Sequence, residues 1–154
     1  MDQDITIRHE PGRDLAVARF EASIDQIGEH LGRAFAAVGA YLARSGVAPT
    51  GGAVAHYEMA PGGFKVAAGF TVAQPVKGDD SVAPLRLPET DVLTTTHVGP
   101  YEELPQTYAA LHARAAELGR SLDDTTMWEE YLTGPDTPRE QMRTVVSWPL
   151  RGAD

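Results

Sequence analysis

One order of patterns occurs twice in this chain, and that repetition limits what it can fold into. DLAVARF (14–20) reads as a strand, SIDQIGEHLGRAFAAVGAYLARSG (23–46) as a helix, and GGAVAHYEMAPGGFKVAAGFTV (51–72) as two strands around the turn at APGG. The same order returns as the strand LPETDVLTTTHV (87–98), the helix GPYEELPQTYAALHARAAELG (99–119), and the strands TTMWEEYL (125–132) and MRTVVSWPL (142–150). DITIRH (4–9) is a further strand, set off by the turn EPGR, and KGDDSVAP (77–84) reads as the linker between the copies. A single copy leaves one sheet face uncovered, whereas two copies can pair their sheets with the helices on one side. The expectation is one α+β domain over 1–154, a tandem duplication of a strand-helix-strand-strand module. Its modules would lie at about 4–76 and 84–150, with antiparallel sheets, two helices and a central groove lined by equivalent strands.

Each helix carries one apolar stripe, which reads as core. In the first it is Ile24, Ile27, Leu31, Phe35, Val38 and Leu42, with Ser23 and Gln26 spaced as a capping box and Gly46 as the stop. In the second it is Tyr101, Leu104, Tyr108, Leu111, Ala115 and Leu118, ended by Gly119. Pro105 is compatible with that helix only in its first turn, where a missing N–H costs nothing. The turn TGPDTPRE (133–140) joins the last two strands.

Composition excludes several classes of function. With no cysteine, disulfides, thiolate metal sites and cysteine nucleophiles are ruled out. The five histidines do not fall at zinc spacing, and there is no HExxH, GxSxG or GxxxxGK[ST]. Neither metal nor cofactor is expected. The start MDQDITIRHE has no apolar run, so neither a signal peptide nor a membrane anchor is expected and the reading is cytoplasmic. A net charge of −9 argues against direct nucleic-acid binding. The charge is uneven: residues 1–77 hold 7 basic against 8 acidic side chains, and residues 78–154 hold 6 against 14. Such an acidic half is either a solvated face or a field that favours cationic ligands.

The run MWEEYL carries the chemistry. Strand alternation puts Met127, Glu129 and Tyr131 on one face and Trp128, Glu130 and Leu132 on the other. Both faces are mixed, so alternation alone does not choose the buried carboxylate. The repeat does, because Tyr131 falls on Tyr57 and the Ala55–Tyr57–Met59 face then matches Met127–Glu129–Tyr131. The expected site is Glu129 in a wall of Met127, Tyr131, Tyr57 and Trp148. A carboxylate held there must take up a proton or pair with a cation. Either Arg143 on the neighbouring strand supplies that cation, or a ligand does, aided by cation–π attraction to the rings. The alternative is that Tyr57, Tyr131 and Trp148 are plain core.

THVGPYEELPQTYAALHA resembles the His-x-Gly-Pro-Tyr segment and following helix of the GyrI-like small-molecule-binding domain, which also occurs as the effector-binding part of AraC- and MerR-type regulators. MWEEYLTGP resembles that family's Trp-Glu-x-Tyr-Leu strand and turn, MRTVVSWPL its closing strand, and SIDQIGEHLGRAFAAVGAYLARSGVAP with AHYE its weaker first module. The resemblance implies that Glu129, Tyr131 and Tyr57 are pocket residues and that the ligand is a bulky aromatic, often cationic, compound. No helix-turn-helix pattern flanks the resemblance, so a stand-alone member is expected. Three functions follow from it. The first is capture of a hydrophobic or cationic aromatic molecule, with Glu129 as counter-ion and Tyr57, Tyr131, Trp148 and Met127 as walls. The second is hydrolytic opening of reactive cyclopropane-type rings of toxic natural products, with Glu129 and Tyr131 as catalytic groups. The third is an acidic interaction protein whose partner is a DNA-handling enzyme.

Overall fold

Glycines end both helices as the sequence predicts, and short turns separate the strands. The structure, a computed structural model, describes residues 4–134 and 136–151. Its elements are β1 (Thr6–Glu10), β2 (Arg13–Ala22), α1 (Ile27–Ser45), β3 (Ala53–Ala60), β4 (Gly63–Val72), β5 (Ala83–Leu87), β6 (Thr90–Val98), α2 (Leu104–Glu117), β7 (Thr126–Tyr131) and β8 (Arg143–Pro149). The α+β class and the repeated module are borne out. Pro105 lies in the first turn of α2, and Gly46 caps α1 in the left-handed region at φ 69°. The turn expected at 133–140 includes Pro135, which lies outside the described residues.

Three local expectations need correction. Ser23 makes no side-chain capping bond; a 3-10 turn, Ile24–Gln26, opens the helical region instead. The apolar stripe of α1 holds in part: Val38 and Leu42 are buried and Ile27, Leu31 and Phe35 half-buried, but Ala34 and Tyr41 complete the buried face. Residues 83–87, read as linker and strand start, form the separate strand β5. β5 contains Pro84 and pairs only with β2, and an edge position is where a strand tolerates proline.

The chain divides into two compact units, 11–89 (the N-unit) and 1–10 with 90–154 (the C-unit). The N-unit sheet runs β5-β2-β4-β3 and the C-unit sheet β1-β6-β8-β7, with every pairing within them antiparallel. The units therefore differ from the expected modules at their edges. β1 leaves β2 and pairs with β6, while β5 leaves β6 and pairs with β2. The turn explains why β1 and β2 do not form a hairpin. Pro11 followed by Gly12 at φ 89° is type II chemistry, which splays flanking strands, whereas tight hairpins favour the primed turns.

The two sheets share one register. Tyr57 lies opposite Val66, which lies opposite Phe20; in the C-unit the row is Tyr131, Thr144, His97. Ala55–Ala68–Ala18 likewise matches Glu129–Val146–Thr95. The overlay of Tyr57 on Tyr131 read from the sequence thus holds strand by strand. In the N-unit, α1 packs on β2 and β4, where Ala16, Val38, Tyr41, Leu42, Val72 and Val82 form a core cluster. In the C-unit, α2 packs on β6, with Leu104, Thr107, Leu111 and Ala115 buried. Among the described residues no helix is long and apolar enough to cross a membrane.

Candidate functional site

The register of β7 and β8 decides the question of the two carboxylates. Residues directly opposite on paired strands share a face, so Glu129 faces the same way as Val146 and Thr95. Alternation adds Tyr131, Thr144, His97, Trp148 and Leu93 to that face, the one α2 covers. Glu129 is 2% exposed there, while Glu130, opposite Val145, points to the other face and is half-buried. Arg143 is one residue from Thr144, hence also on the other face, and is exposed. The cross-strand ion pair between Glu129 and Arg143 therefore does not form.

Glu129 is bonded by two phenols. Tyr131 Oη donates to Oε1 at 2.9 Å, and Tyr108 Oη, from α2, donates a short bond to Oε2. Burial pushes the carboxyl pKa above its ordinary value, and the two phenols and His97 pull it only part of the way back. Among the described residues no lysine or arginine pairs with it. Rings close in around this pair: Tyr101 packs edge-on against Tyr131 at 5.8 Å, and Tyr108 against Trp148 at 5.8 Å. Tyr101 is 41% exposed, and its phenol pKa is raised, first by burial and then by the charge of Glu129.

The other sequence-predicted residues are placed as follows. Met127 and Trp148 are buried in the C-unit. The Trp148 indole N–H donates to the Asp123 carbonyl, and its ring is also covered by His112 at 4.6 Å. Tyr57 is buried in the N-unit, edge-on to Phe64 at 6.2 Å, at the place Tyr131 holds in the C-unit. Sequence reasoning missed Tyr108 and Tyr101, read as helix core. The signal was present: Tyr101, Leu104, Tyr108 and Leu111 share a helical face, and two of those four carry hydroxyls.

His97 is buried and fully bonded. Its Nε2–H donates to the Pro100 carbonyl at 3.0 Å, and Nδ1 shares a hydrogen bond of 2.7 Å with the Thr107 hydroxyl. It thereby ties the end of β6 to the first turns of α2, the helix that delivers Tyr108. Among the described residues no group of three or more His, Asp or Glu side chains gathers as a metal site would. Cavities of about 510 and 440 Å³ lie away from Glu129, the first beside Tyr41, Val47 and Val76, the second beside His56, Glu58 and Lys65. The carboxyl itself is enclosed by the protein's own phenols.

The site is thus a buried acid held by phenols and rings on a duplicated α+β frame. The chain belongs to the family described as the GyrI-like small molecule binding domain, whose profile matches residues 3–151. The resemblance read from the sequence is thus confirmed. Among curated proteins none matches this chain. Among solved structures it is similar to the C-terminal domain of EcmrR, with TM-score 0.82, 16% identity, and coverage of 99% of this chain and 100% of that one. EcmrR in a complex with DNA also matches, with TM-score 0.78 and 16% identity over 98% of this chain, but this chain spans only 58% of that protein. SAV2435 bound to tetraphenylphosphonium matches with TM-score 0.69 and 14% identity, over 97% of this chain and 94% of that one. A hydrolase from Listeria innocua matches with TM-score 0.65 and 14% identity, over 96% and 91%.

Proposed function

We propose that this protein captures bulky aromatic cations, with Glu129 as the counter-ion. The observation that carries this reading is a carboxyl 2% exposed whose hydrogen bonds, among the described residues, come from two phenols. An unpaired buried carboxylate costs several kcal/mol. A ligand cation removes that cost, and a delocalised cation loses less hydration on burial than a compact one. The rings of Tyr101, Tyr108 and Tyr131 add cation–π attraction of roughly 0.5–2 kcal/mol each. Tyr108 and Tyr131, both half-buried, cover the acid in the closed state, so binding moves a phenol off the carboxylate. The tetraphenylphosphonium carried by SAV2435 is a ligand of this class. We assign no nucleic-acid contact to this domain, whose net charge is −9. Calorimetric titration with tetraphenylphosphonium is the test. Glu129→Gln should weaken binding tenfold or more, and equal affinity for both proteins would reject the counter-ion.

The acid–phenol contact also supports a second reading, a ring-opening hydrolase. A carboxyl with a raised pKa is suited to proton transfer near neutral pH, and a phenol bonded to it can donate to developing negative charge. Glu129 would take the proton of the water that attacks the ring carbon, and Tyr131 would donate to the acceptor that gains charge as the ring C–C bond breaks. A cyclopropane-bearing electrophile should then give multiple turnovers of ring-opened product, which Glu129→Gln should abolish. Stoichiometric capture without turnover would leave only binding.

A further inference from the structure

The internal repeat provides a control for the site, because one sheet-and-helix frame occurs twice with different side chains. The 3-10 turns Ile24–Gln26 and Tyr101–Glu103 and the helix starts at Ile27 and Leu104 align with the register of the strands. On that alignment His97 and Thr107 stand where the N-unit has Phe20 and His30, and Tyr108 stands where it has Leu31. Glu129 replaces Ala55, and Thr144 replaces Val66. Contacts agree: Phe20 and His30 stack at 5.1 Å, and their counterparts His97 and Thr107 hydrogen-bond. The frame itself therefore needs none of these polar groups.

All but one of the C-unit replacements satisfy one another, as described above. Thr144 does not. It is 0% exposed, and its Oγ1 has no hydrogen-bond partner among the described residues. Thr71 Oγ1 shares that lack, but Thr71 belongs to a half-buried residue of the N-unit sheet. Val66 fills the Thr144 place in the other repeat with no hydroxyl, and it too is buried. An apolar frame position that carries an unsatisfied hydroxyl loses hydration and gains nothing in the closed state. Thr144 lies directly opposite Tyr131 and diagonally opposite Glu129, about 7–8 Å from it as such neighbours are spaced. Of the two phenols on the carboxyl, Tyr131 is the one opposite Thr144, so its displacement by a ligand would open space beside that hydroxyl.

We propose that Thr144 is a specificity-determining contact of this site. Its hydroxyl donates to a neutral acceptor oxygen, a carbonyl, ether or hydroxyl, borne by the ligand about one aryl ring from its cationic centre. An acceptor is the group inferred because an O–H without an acceptor is the costlier deficit; an oxygen with a spare lone pair is tolerated more often. This inference rests on the aromatic-cation reading above and narrows the ligand class within it.

The test compares tetraphenylphosphonium, which has no acceptor, with its para- and meta-acetyl derivatives, which each carry one carbonyl. Wild-type protein should bind one acetyl isomer more tightly than the parent cation. Thr144→Val should weaken that isomer fivefold or more while leaving the parent within twofold, and Thr144→Ser should restore the preference. Without ligand, Thr144→Val should melt at or above the wild-type temperature, since the hydroxyl it loses is unsatisfied. Equal effects on all three probes, or none, would overturn the proposal, as would a lower melting temperature for Thr144→Val. Parent-cation binding that depends on Glu129 but shows no acetyl preference sinks this inference alone. If no probe binds wild-type protein, the aromatic-cation reading falls and takes this one with it.

Discussion

Glu129 sets the behaviour expected at the scale of a residue. Its folded pKa lies above the ordinary value of 4.5 because burial disfavours the charge. A carboxyl raised in this way stabilises the fold while protonated, below about 4.5, and that contribution disappears as pH rises through the folded pKa. Wild-type protein should therefore lose stability relative to Glu129→Gln as pH increases. Melting curves of the two proteins across pH test this, and parallel curves would show that the acid titrates as if exposed. Ligand affinity should move the other way. A cation needs the ionised acid, so its affinity should rise with pH by up to tenfold per unit and level off above the folded pKa. Titrations with tetraphenylphosphonium at several pH values would read the slope; a flat profile in wild-type protein contradicts an ion pair. Tyr108→Phe removes a donor to the carboxylate and should raise the pKa at which that slope ends.

At the scale of the element, α2 is the part of the frame that the site depends on. It carries Tyr108, is tied to β6 through Thr107 and His97, and buries Leu111 completely. Leu111→Ala should cost about 2–5 kcal/mol in chemical denaturation, the range for a large-to-small change in a core that relaxes only partly. A cost under about 1 kcal/mol would mean that α2 is loosely seated. The N-unit has a different tight point. A Cβ at Gly69 of β4 would lie 1.7 Å from the Ala16 carbonyl oxygen on β2, a contact that backbone must move to relieve. Gly69→Ala should destabilise the protein by about 1–3 kcal/mol or more, the usual cost of overpacking, and a neutral effect would mean that the β2–β4 pair shifts freely. By contrast, the Arg139–Glu102 ion pair is exposed on both sides, and Arg139→Ala should change stability by less than about 1 kcal/mol.

At the scale of the whole molecule, the exchange of edge strands makes a test of connectivity. β1 completes the C-unit sheet beside β6, and Thr95 Oγ1 also bonds the Asp4 carbonyl at 3.0 Å. Deleting residues 1–10 should therefore strip hydrogen-exchange protection from β6 while β2, its neighbour in sequence, stays protected. Equal loss on both strands would contradict the exchanged pairing. That exchange was not legible in the sequence, because a Pro-Gly turn between two strands reads locally as a hairpin and only its backbone geometry splays them. β5 was missed for a related reason: an edge strand needs little apolar patterning, so APLRL merged with the loop before it. The repeat itself, both helices with their glycine stops, and the choice of Glu129 over Glu130 were legible, since period, turn chemistry and self-alignment are local properties of the chain. Tyr108 and Thr144 were not singled out, because a phenol or hydroxyl on an apolar stripe looks like core until the facing strand is known. The sequence by itself thus determined which elements form and which carboxyl faces inward. Tertiary structure alone decided which strands pair, which phenols meet that carboxyl, and which hydroxyl is left unsatisfied, because those depend on contacts between residues far apart in the chain.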